Sequence, residues 1–236
     1  MNYGGKNSKN AVRLLRRIDP SYRFSWEVYD GILAELLTEN TVWLDGGCGK
    51  NLAIEEQTVP YFKIGVDIEV RTDAVHGNPN HYAVACLGLL PFKEETFDLI
   101  TLANVAEHFE DPDTVIREIC RVLKPDGKIL LGTTNLRSPI IFMGNLLGKR
   151  LRLFIMRKFM SAKENDIFTA YHALNTAKDL ERLEGFTLER INFIQDINRS
   201  NHLVFLLFSL YHFLTKNRLT RSFQTNIIAV LKKDRF

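Results

Sequence analysis

A short apolar run that ends in an acid and three closely spaced glycines constrains this chain more than any other feature. Residues 42–51 read Val-Trp-Leu-Asp-Gly-Gly-Cys-Gly-Lys-Asn, so Gly46, Gly47 and Gly49 follow Asp45. The apolar-biased residues 41–44 predict a short buried strand. Glycine tolerates positive φ and has no side chain, so the chain can turn sharply beside a ligand here. Open α/β sheets bind nucleotide-like ligands at this place, at the carboxyl end of a strand.

The glycine spacing argues against a nicotinamide dinucleotide. The dinucleotide fingerprint requires Gly-x-Gly-x-x-Gly. Counted from Gly47, its third glycine would fall at Leu52. A nicotinamide-dependent oxidoreductase is therefore disfavoured.

A second acid follows the next predicted strand. Residues 61–68 alternate apolar positions and reach Asp67, about 20 residues beyond the glycine turn, where α/β folds place the acid that binds a ribose diol. A carboxylate accepts hydrogen bonds from both ribose hydroxyls at once. We predict Asp67 as the ribose ligand, with Glu69 as the fallback; the alternative is an ordinary surface acid.

These segments resemble class I S-adenosylmethionine-dependent methyltransferases. The glycine-rich first motif of that family is matched residue by residue by Leu44, Asp45, Gly47, Cys48 and Gly49. Asn51 stands where the last glycine of the motif usually lies, and Asn is the next most tolerant residue in left-handed space. Further segments typical of the family follow in the family's order and extend the resemblance over roughly residues 22–135: Leu90-Pro91-Phe92, Phe97-Asp98-Leu99-Ile100, Val105-Ala106-Glu107-His108 and the turn Lys124-Pro125-Asp126-Gly127.

The resemblance implies a fold, a cofactor and a set of contacts. It implies a doubly wound, mostly parallel seven-stranded sheet of order 3-2-1-4-5-7-6 with helices on both faces. S-adenosylmethionine would lie across the carboxyl ends of strands one, two and four. Many members carry an acid for the adenine amino group where this chain has Cys86, so backbone groups near Cys86 and Leu87 would recognise adenine. The cofactor-binding residues carried over are Asp45, Gly46, Gly47, Cys48, Gly49, Asp67, Ile68, Cys86, Leu87, Asn104 and Val105.

Two histidines are candidate catalytic bases. His108 follows the fourth predicted strand, and His172 precedes a predicted helix, where the family often places a residue that faces the acceptor. An isolated histidine titrates near neutral pH, which suits a base that accepts a hydroxyl proton. The alternative for His108 is a structural role in its loop. The methyl transfer needs no metal, and we predict no metal site.

Two insertions distinguish the chain from the family core. Residues 136–170 form a basic apolar insertion, which is interpreted as a lid over an apolar acceptor, as a membrane-surface element, or as plain packing. Residues 198–223 contain the nearly continuous apolar stretch 203–214, too short to span a bilayer. We favour a buried helix there, and a membrane-facing or dimer-forming helix is the alternative. A peripheral membrane or lipid-linked contact would use residues 138–163 and 203–221.

Length, net charge and cysteine content limit the number of domains, the class of partner and the cellular location. The 236 residues suit one domain over 1–236, and a net charge of +3 does not indicate nucleic-acid binding. The three separated cysteines indicate reduced thiols in a cytoplasmic protein. Association with a membrane through the insertions is the alternative location. The predicted function is methylation of a small-molecule acceptor, on an oxygen of an apolar, glycan or lipid-linked compound. The alternative is a non-catalytic scaffold that keeps the methyltransferase fold.

Overall fold

A seven-stranded sheet forms the centre of the computed structural model, which describes residues 6–49, 60–69, 81–146, 171, 173–198 and 202–235. The strand order is β3-β2-β1-β4-β5-β7-β6, which confirms the predicted doubly wound methyltransferase fold. β4 lies in the middle, and its neighbour β1 pairs in parallel with both β2 and β4. The strands are β1 Thr41–Gly46, β2 Tyr61–Asp67, β3 His81–Val84, β4 Phe97–Ala103, β5 Leu123–Thr134, β6 Phe186–Ile194 and β7 Asn226–Lys233.

Six helices accompany the sheet in the described part of the chain. They are α1 Lys6–Ile18, α2 Ser25–Leu36, α3 Pro112–Val122, α4 Pro139–Leu146, α5 Ala177–Glu181 and α6 His202–Thr215. Asp111 caps α3 through the backbone N–H of Thr114, and Pro112 occupies the first helical position, where both residue types are favoured. Thr176 and Asp179 form a capping box at the start of α5.

The core lies along the central strands. Trp43 and Leu44 of β1, Ile100 of β4, and Leu130 and Leu131 of β5 have almost no exposed surface. Strands covered on both faces read as continuous apolar runs, and these runs predicted the strands. β5 begins at Leu123, so the segment Lys124-Pro125-Asp126-Gly127, which the sequence predicts as a turn, lies within this strand.

The chain divides into two compact units. One, here called the helical unit, consists of Met1–Glu27, Asn135–Thr169 and Phe193–Asn226; the other, the sheet unit, consists of Val28–Thr134, Ala170–Asn192 and Ile227–Phe236. The helical unit has its own buried cluster of Leu15, Tyr22, Phe24 and Ile197. Beside this cluster the buried carboxylate of Asp19 contacts Nε2 of His212 at 3.0 Å.

The two insertions are helical where the structure describes them. α4 begins the first, and residues 147–170 lie outside the described residues. α6 forms the second, but the favoured burial of this helix is wrong for one of its faces. Its leucines at 203, 206, 207, 210 and 214 are 56–63% exposed. Within the described ranges, no helix combines the length and the apolar character that crossing a membrane requires.

Candidate active site

The glycine turn after β1 lies against the loop after β4. Gly47 has a φ of +65°, and a Cβ at this position would lie 2.5 Å from Cγ2 of Val105. The backbone N–H groups of Gly47 and Cys48 both donate to the carbonyl of Val66, at 2.7 and 3.1 Å. Glycine is therefore required at 47 for two reasons, its backbone conformation and the nearby valine.

The same turn is tied to the acid at the end of β2. The backbone N–H of Gly49 donates to Oδ2 of Asp67 at 2.8 Å, and Oδ1 accepts from the backbone N–H of Glu69 at 3.4 Å. A carboxylate has about four lone-pair positions, so Asp67 retains acceptor capacity beyond these two bonds. Ile68, the next residue, is 68% exposed.

The loop after β3 reaches the turn from another side. A Cβ at Gly46 would lie 3.0 Å from side-chain carbons of both Leu87 and Leu102. Leu87 is buried, whereas its neighbour Cys86 is exposed, and the backbone carbonyl of Cys86 accepts from the N–H of Leu89 at 3.0 Å. The segments predicted to bind the ribose, the adenine and the methionine end thus meet around residues 46–49.

Asp45 and Cys48 direct their side chains into the protein. The Asp45 carboxylate accepts from the Thr101 hydroxyl at 2.8 Å and lies 2.9 Å from Nζ of Lys63, and both charged side chains are nearly fully buried. The Lys63 ammonium also lies 4.2 Å from the ring centroid of Trp43. Burial, together with the negative charges of Asp45 and Asp67, raises the pKa of the Cys48 thiol to about 12. Because these side chains are directed into the protein, only the backbone groups of Asp45 and Cys48 would contact the cofactor. These two contacts stay predictions.

Asn104 turns the chain at the open end of β4. It has a φ of +56°, and its backbone N–H donates to the carbonyl of Gly132 at 2.8 Å. Ala103 and Asn104 are exposed, although the preceding residues of β4 are buried. The carboxyl end of β4 is therefore accessible beside the glycine turn.

A buried polar network lies directly after this point. The Glu107 carboxylate accepts from the Thr133 hydroxyl at 3.0 Å, and the Asn175 amide donates to Thr133 and to the hydroxyl and carbonyl of Thr134 at 2.7–2.9 Å. Burial raises the pKa of Glu107, an effect that its hydrogen bonds only partly oppose. The backbone carbonyl of Glu107 accepts from the N–H of Tyr171 at 2.8 Å, which fastens the segment after the first insertion to this network.

The structure describes one of the two candidate bases, His108, but not the other, His172. His108 is half-buried at the end of a 3₁₀ turn, Ala106–His108, and its backbone N–H donates to the carbonyl of Val105 at 2.9 Å. This places it in the loop that also contacts Gly47. His172 lies outside the described residues, and its neighbour Tyr171 is held at Glu107.

Sequence reasoning missed Thr133 and Asn175. Both are buried polar residues that join the carboxyl end of β5 to the segment after the first insertion. The sequence offered two signals. Two consecutive threonines end a predicted central strand, and an asparagine lies between Leu174 and the capping Thr176. Buried polar side chains in such positions are hydrogen-bonded as a rule.

The described residues fit the sugar and amino-acid ends of S-adenosylmethionine. Among the described residues, a Cβ at Gly49 would meet nothing closer than the Gly47 carbonyl oxygen at 4.0 Å, so these residues leave space there. That space adjoins the Asp67 carboxylate, and the accessible end of β4 lies beside the same turn. Open space next to a carboxylate and exposed backbone suits a polar nucleoside.

Comparison with known proteins gives the same picture. Residues 44–131 match the sequence model of a family described as "Methyltransferase domain". The demethylmenaquinone methyltransferase of Lactobacillus johnsonii is 43% identical over 56 residues, 23% of each chain. The ubiquinone biosynthesis O-methyltransferase of Pseudomonas entomophila is 26% identical over 50% of this chain and 46% of its own. The chain thus spans half or less of the length of these relatives.

A solved structure matches over most of its length. The crystal structure described as a SAM-dependent methyltransferase from Methanosarcina mazei superimposes with a TM-score of 0.55, at 17% identity, over 87% of this chain and 98% of that one. At this identity the likeness concerns the fold.

Proposed function

Because residues 44–131 belong to the class I S-adenosylmethionine-dependent methyltransferase family, we propose that the chain methylates an apolar small molecule. The observation that carries this proposal is the bond from the Gly49 N–H to Asp67, which joins the glycine turn and the ribose acid in one surface. A scaffold that had lost the cofactor would have no need to keep both elements in this arrangement.

The cofactor supplies a methyl group that is already electrophilic, so the protein's tasks are to bind, to orient and to move a proton. Asp67 would accept hydrogen bonds from the ribose, and the backbone of residues 46–49 would hold the amino-acid end. Leu87 would lie beside the adenine, and Asn104 and Val105 beside the reacting end. Each role is assigned from the position of the residue around the turn.

We assign the acceptor atom to a hydroxyl oxygen. A hydroxyl must lose a proton during methyl transfer, and His108 lies in the loop directly after β4, beside the accessible edge. We prefer an apolar or lipid-linked acceptor over a glycan because two relatives are named for quinones, the demethylmenaquinone methyltransferase and the ubiquinone biosynthesis O-methyltransferase.

The direct test is methyl transfer from S-adenosylmethionine with a tritiated methyl group into a cell extract, followed by partition between an organic and an aqueous phase. We expect label in the organic phase with the wild-type protein and none with Asp67→Ala. Label in the aqueous phase would indicate a polar acceptor such as a glycan. Intact cofactor binding without label in either phase would favour the scaffold.

A further inference from the structure

A row of leucines runs along one face of α6. Between residues 203 and 214, every exposed position is a leucine: 203, 206, 207, 210 and 214. These positions recur at helical spacing, so they form one continuous stripe. Solitary exposed leucines are ordinary on a protein surface, but a contiguous stripe marks an interaction surface.

The opposite face of α6 is already occupied. Phe205, Phe208 and Phe213 pack against the buried cluster of the helical unit. His212 is buried against Asp19, and the Tyr211 hydroxyl donates to the carbonyl of Phe223 at 2.6 Å. These contacts fix the rotation of the helix, so the leucines cannot turn inward without breaking them.

Other helices of the same unit also expose apolar side chains. Leu14 and Ile18 of α1 are more than half exposed one turn apart, and Leu219 after α6 is 88% exposed. The start of α4 lies beside α6, because the hydroxyls of Ser138 and Tyr211 are 3.4 Å apart, and α4 exposes apolar side chains at 142, 143 and 146. We call the leucine stripe, together with the exposed apolar side chains of α4, the apolar surface.

The charge of the protein is divided sharply between its two units. The segments of the helical unit contain 17 basic and 5 acidic residues, whereas those of the sheet unit contain 14 basic and 23 acidic ones. The net charge of +3 therefore conceals +12 on the helical unit and −9 on the sheet unit. A charge asymmetry of this size indicates a polyanionic partner for the basic part.

The acids that the structure describes in the helical unit are engaged in contacts within that unit. Among its described residues, Asp19 is buried with His212, and Glu27 is ion-paired with Arg16. Asp196 accepts from the backbone and the hydroxyl of Ser25. Exposed arginines remain on the same unit: Arg218 and Arg221 directly follow α6, and Arg13 and Arg17 lie on α1.

We propose that the apolar surface and its arginines bind the helical unit to the surface of an anionic lipid bilayer. The leucine stripe of α6 inserts among the acyl chains near the headgroups, and the arginines contact lipid phosphates. Apolar side chains flanked by cationic ones are the recognised composition of helices that lie in the membrane interface. This inference does not depend on the proposed methyltransferase activity.

A second copy of the chain suits the same surface less well. A two-fold dimer through the leucine stripe would bring two units of +12 together. Like charges brought together oppose such an association, whereas an anionic bilayer satisfies the apolar and the charged groups together.

The test is flotation of the full chain with vesicles of phosphatidylcholine, alone or mixed with phosphatidylglycerol. We expect binding to the mixed vesicles that weakens as salt is raised, and about tenfold weaker binding to phosphatidylcholine alone. The Leu207→Gln/Leu210→Gln variant should lose about tenfold or more in affinity for the mixed vesicles, since glutamine keeps the helix propensity but not the apolar contact. Its control is Leu89→Gln/Val84→Thr, which changes two exposed apolar residues of the sheet unit and should bind like wild type.

The charge requirement is tested separately with Arg218→Glu/Arg221→Glu. Loss of the two arginines alone should weaken binding about 25-fold, about fivefold for each, and the added carboxylates should weaken it further. Lys93→Glu/Lys178→Glu makes the same charge change in the sheet unit and should leave binding unchanged. Thermal melting of every variant shows that it is folded.

Two outcomes overturn the proposal. One is undiminished vesicle binding by the folded leucine variant. The other is a wild-type dimer in light scattering that ignores vesicles and becomes a monomer in the leucine variant, which would assign the stripe to self-association.

Discussion

The backbone N–H of Gly49 donates to Oδ2 of Asp67 at 2.8 Å, although 18 residues separate them in the chain. This bond exists because β1 and β2 are parallel neighbours that end at the same edge of the sheet. The turn that follows one strand and the acid that ends the other therefore form a single surface. The predictions below test this surface and the packing that supports it.

Gly47→Ala should destabilise the protein by about 2–4 kcal/mol, because it places a Cβ at positive φ and against Val105. In the double variant Gly47→Ala/Val105→Ala the steric part should be recovered while the backbone strain remains. Urea unfolding measures both. Gly31→Ala is the control: nothing lies within 4 Å of its Cβ position in α2, so alanine should stabilise the helix by about 0.5–1 kcal/mol. If Gly47→Ala lowers the free energy of unfolding equally with and without Val105→Ala, the contact between residues 47 and 105 is contradicted.

Lys63→Met should cost about 3–5 kcal/mol, because it leaves the buried Asp45 carboxylate without its ion-pair partner. Adding Asp45→Asn should restore most of this loss. Lys128→Met removes an ion pair whose side chains are about one-third exposed, and it should cost less than about 1 kcal/mol. If both lysine variants unfold at the same urea concentration, the buried pair does not stabilise the fold as described.

The cysteines should differ in reactivity towards iodoacetamide at about pH 8. Burial raises the pKa of the Cys48 thiol to about 12, so Cys48 should remain unlabelled in the folded protein, whereas the exposed Cys86 should react. S-adenosylhomocysteine should slow the labelling of Cys86 if this residue lies beside the adenine, and it should not change the half-buried Cys120. Mass spectrometry of peptides follows all three. Labelling of Cys86 at the same rate with saturating ligand would remove it from the site.

Glu107→Gln should stabilise the protein near neutral pH. Burial raises the pKa of Glu107 in the folded protein above its value in the unfolded chain. The protonated carboxyl group therefore contributes stability that is complete below the unfolded pKa and is lost as the pH rises through the folded pKa. Glutamine can still accept from Thr133 and carries no charge to bury. The variant's Tm should therefore exceed that of wild type at pH 7, and the difference should shrink towards pH 4. A wild type that melts higher than the variant at pH 7 would contradict this.

The central strands and the glycine turn were predictable from sequence for physical reasons, whereas the strand order followed from the family resemblance. Buried parallel strands leave continuous apolar runs, and Gly47 and Gly49 supply a backbone conformation that few residues adopt. Capping by Asp111 and Thr176 depends on residues within three positions, so it can be predicted from the local sequence.

Features that depend on distant partners could not be read this way. Lys63 lies in the middle of β2, where an isolated lysine suggests solvent, and only the neighbouring strand reveals Asp45. The stretch 203–214 is apolar on all sides, so no polar face tells which residues pack inward. The structure places phenylalanines against the core and leucines outside. Thr133 and Asn175 meet only when the chain returns after the first insertion.

The most direct test of the account is calorimetric titration of S-adenosylmethionine into wild type, Asp67→Ala and Glu69→Gln. Hydrogen bonds to a charged group contribute about 1.5–3 kcal/mol each. We predict that wild type and Glu69→Gln bind alike and that Asp67→Ala loses at least about 100-fold in affinity. Binding by Asp67→Ala at the wild-type affinity, or no binding by wild type, would contradict the assignment of this surface to the cofactor.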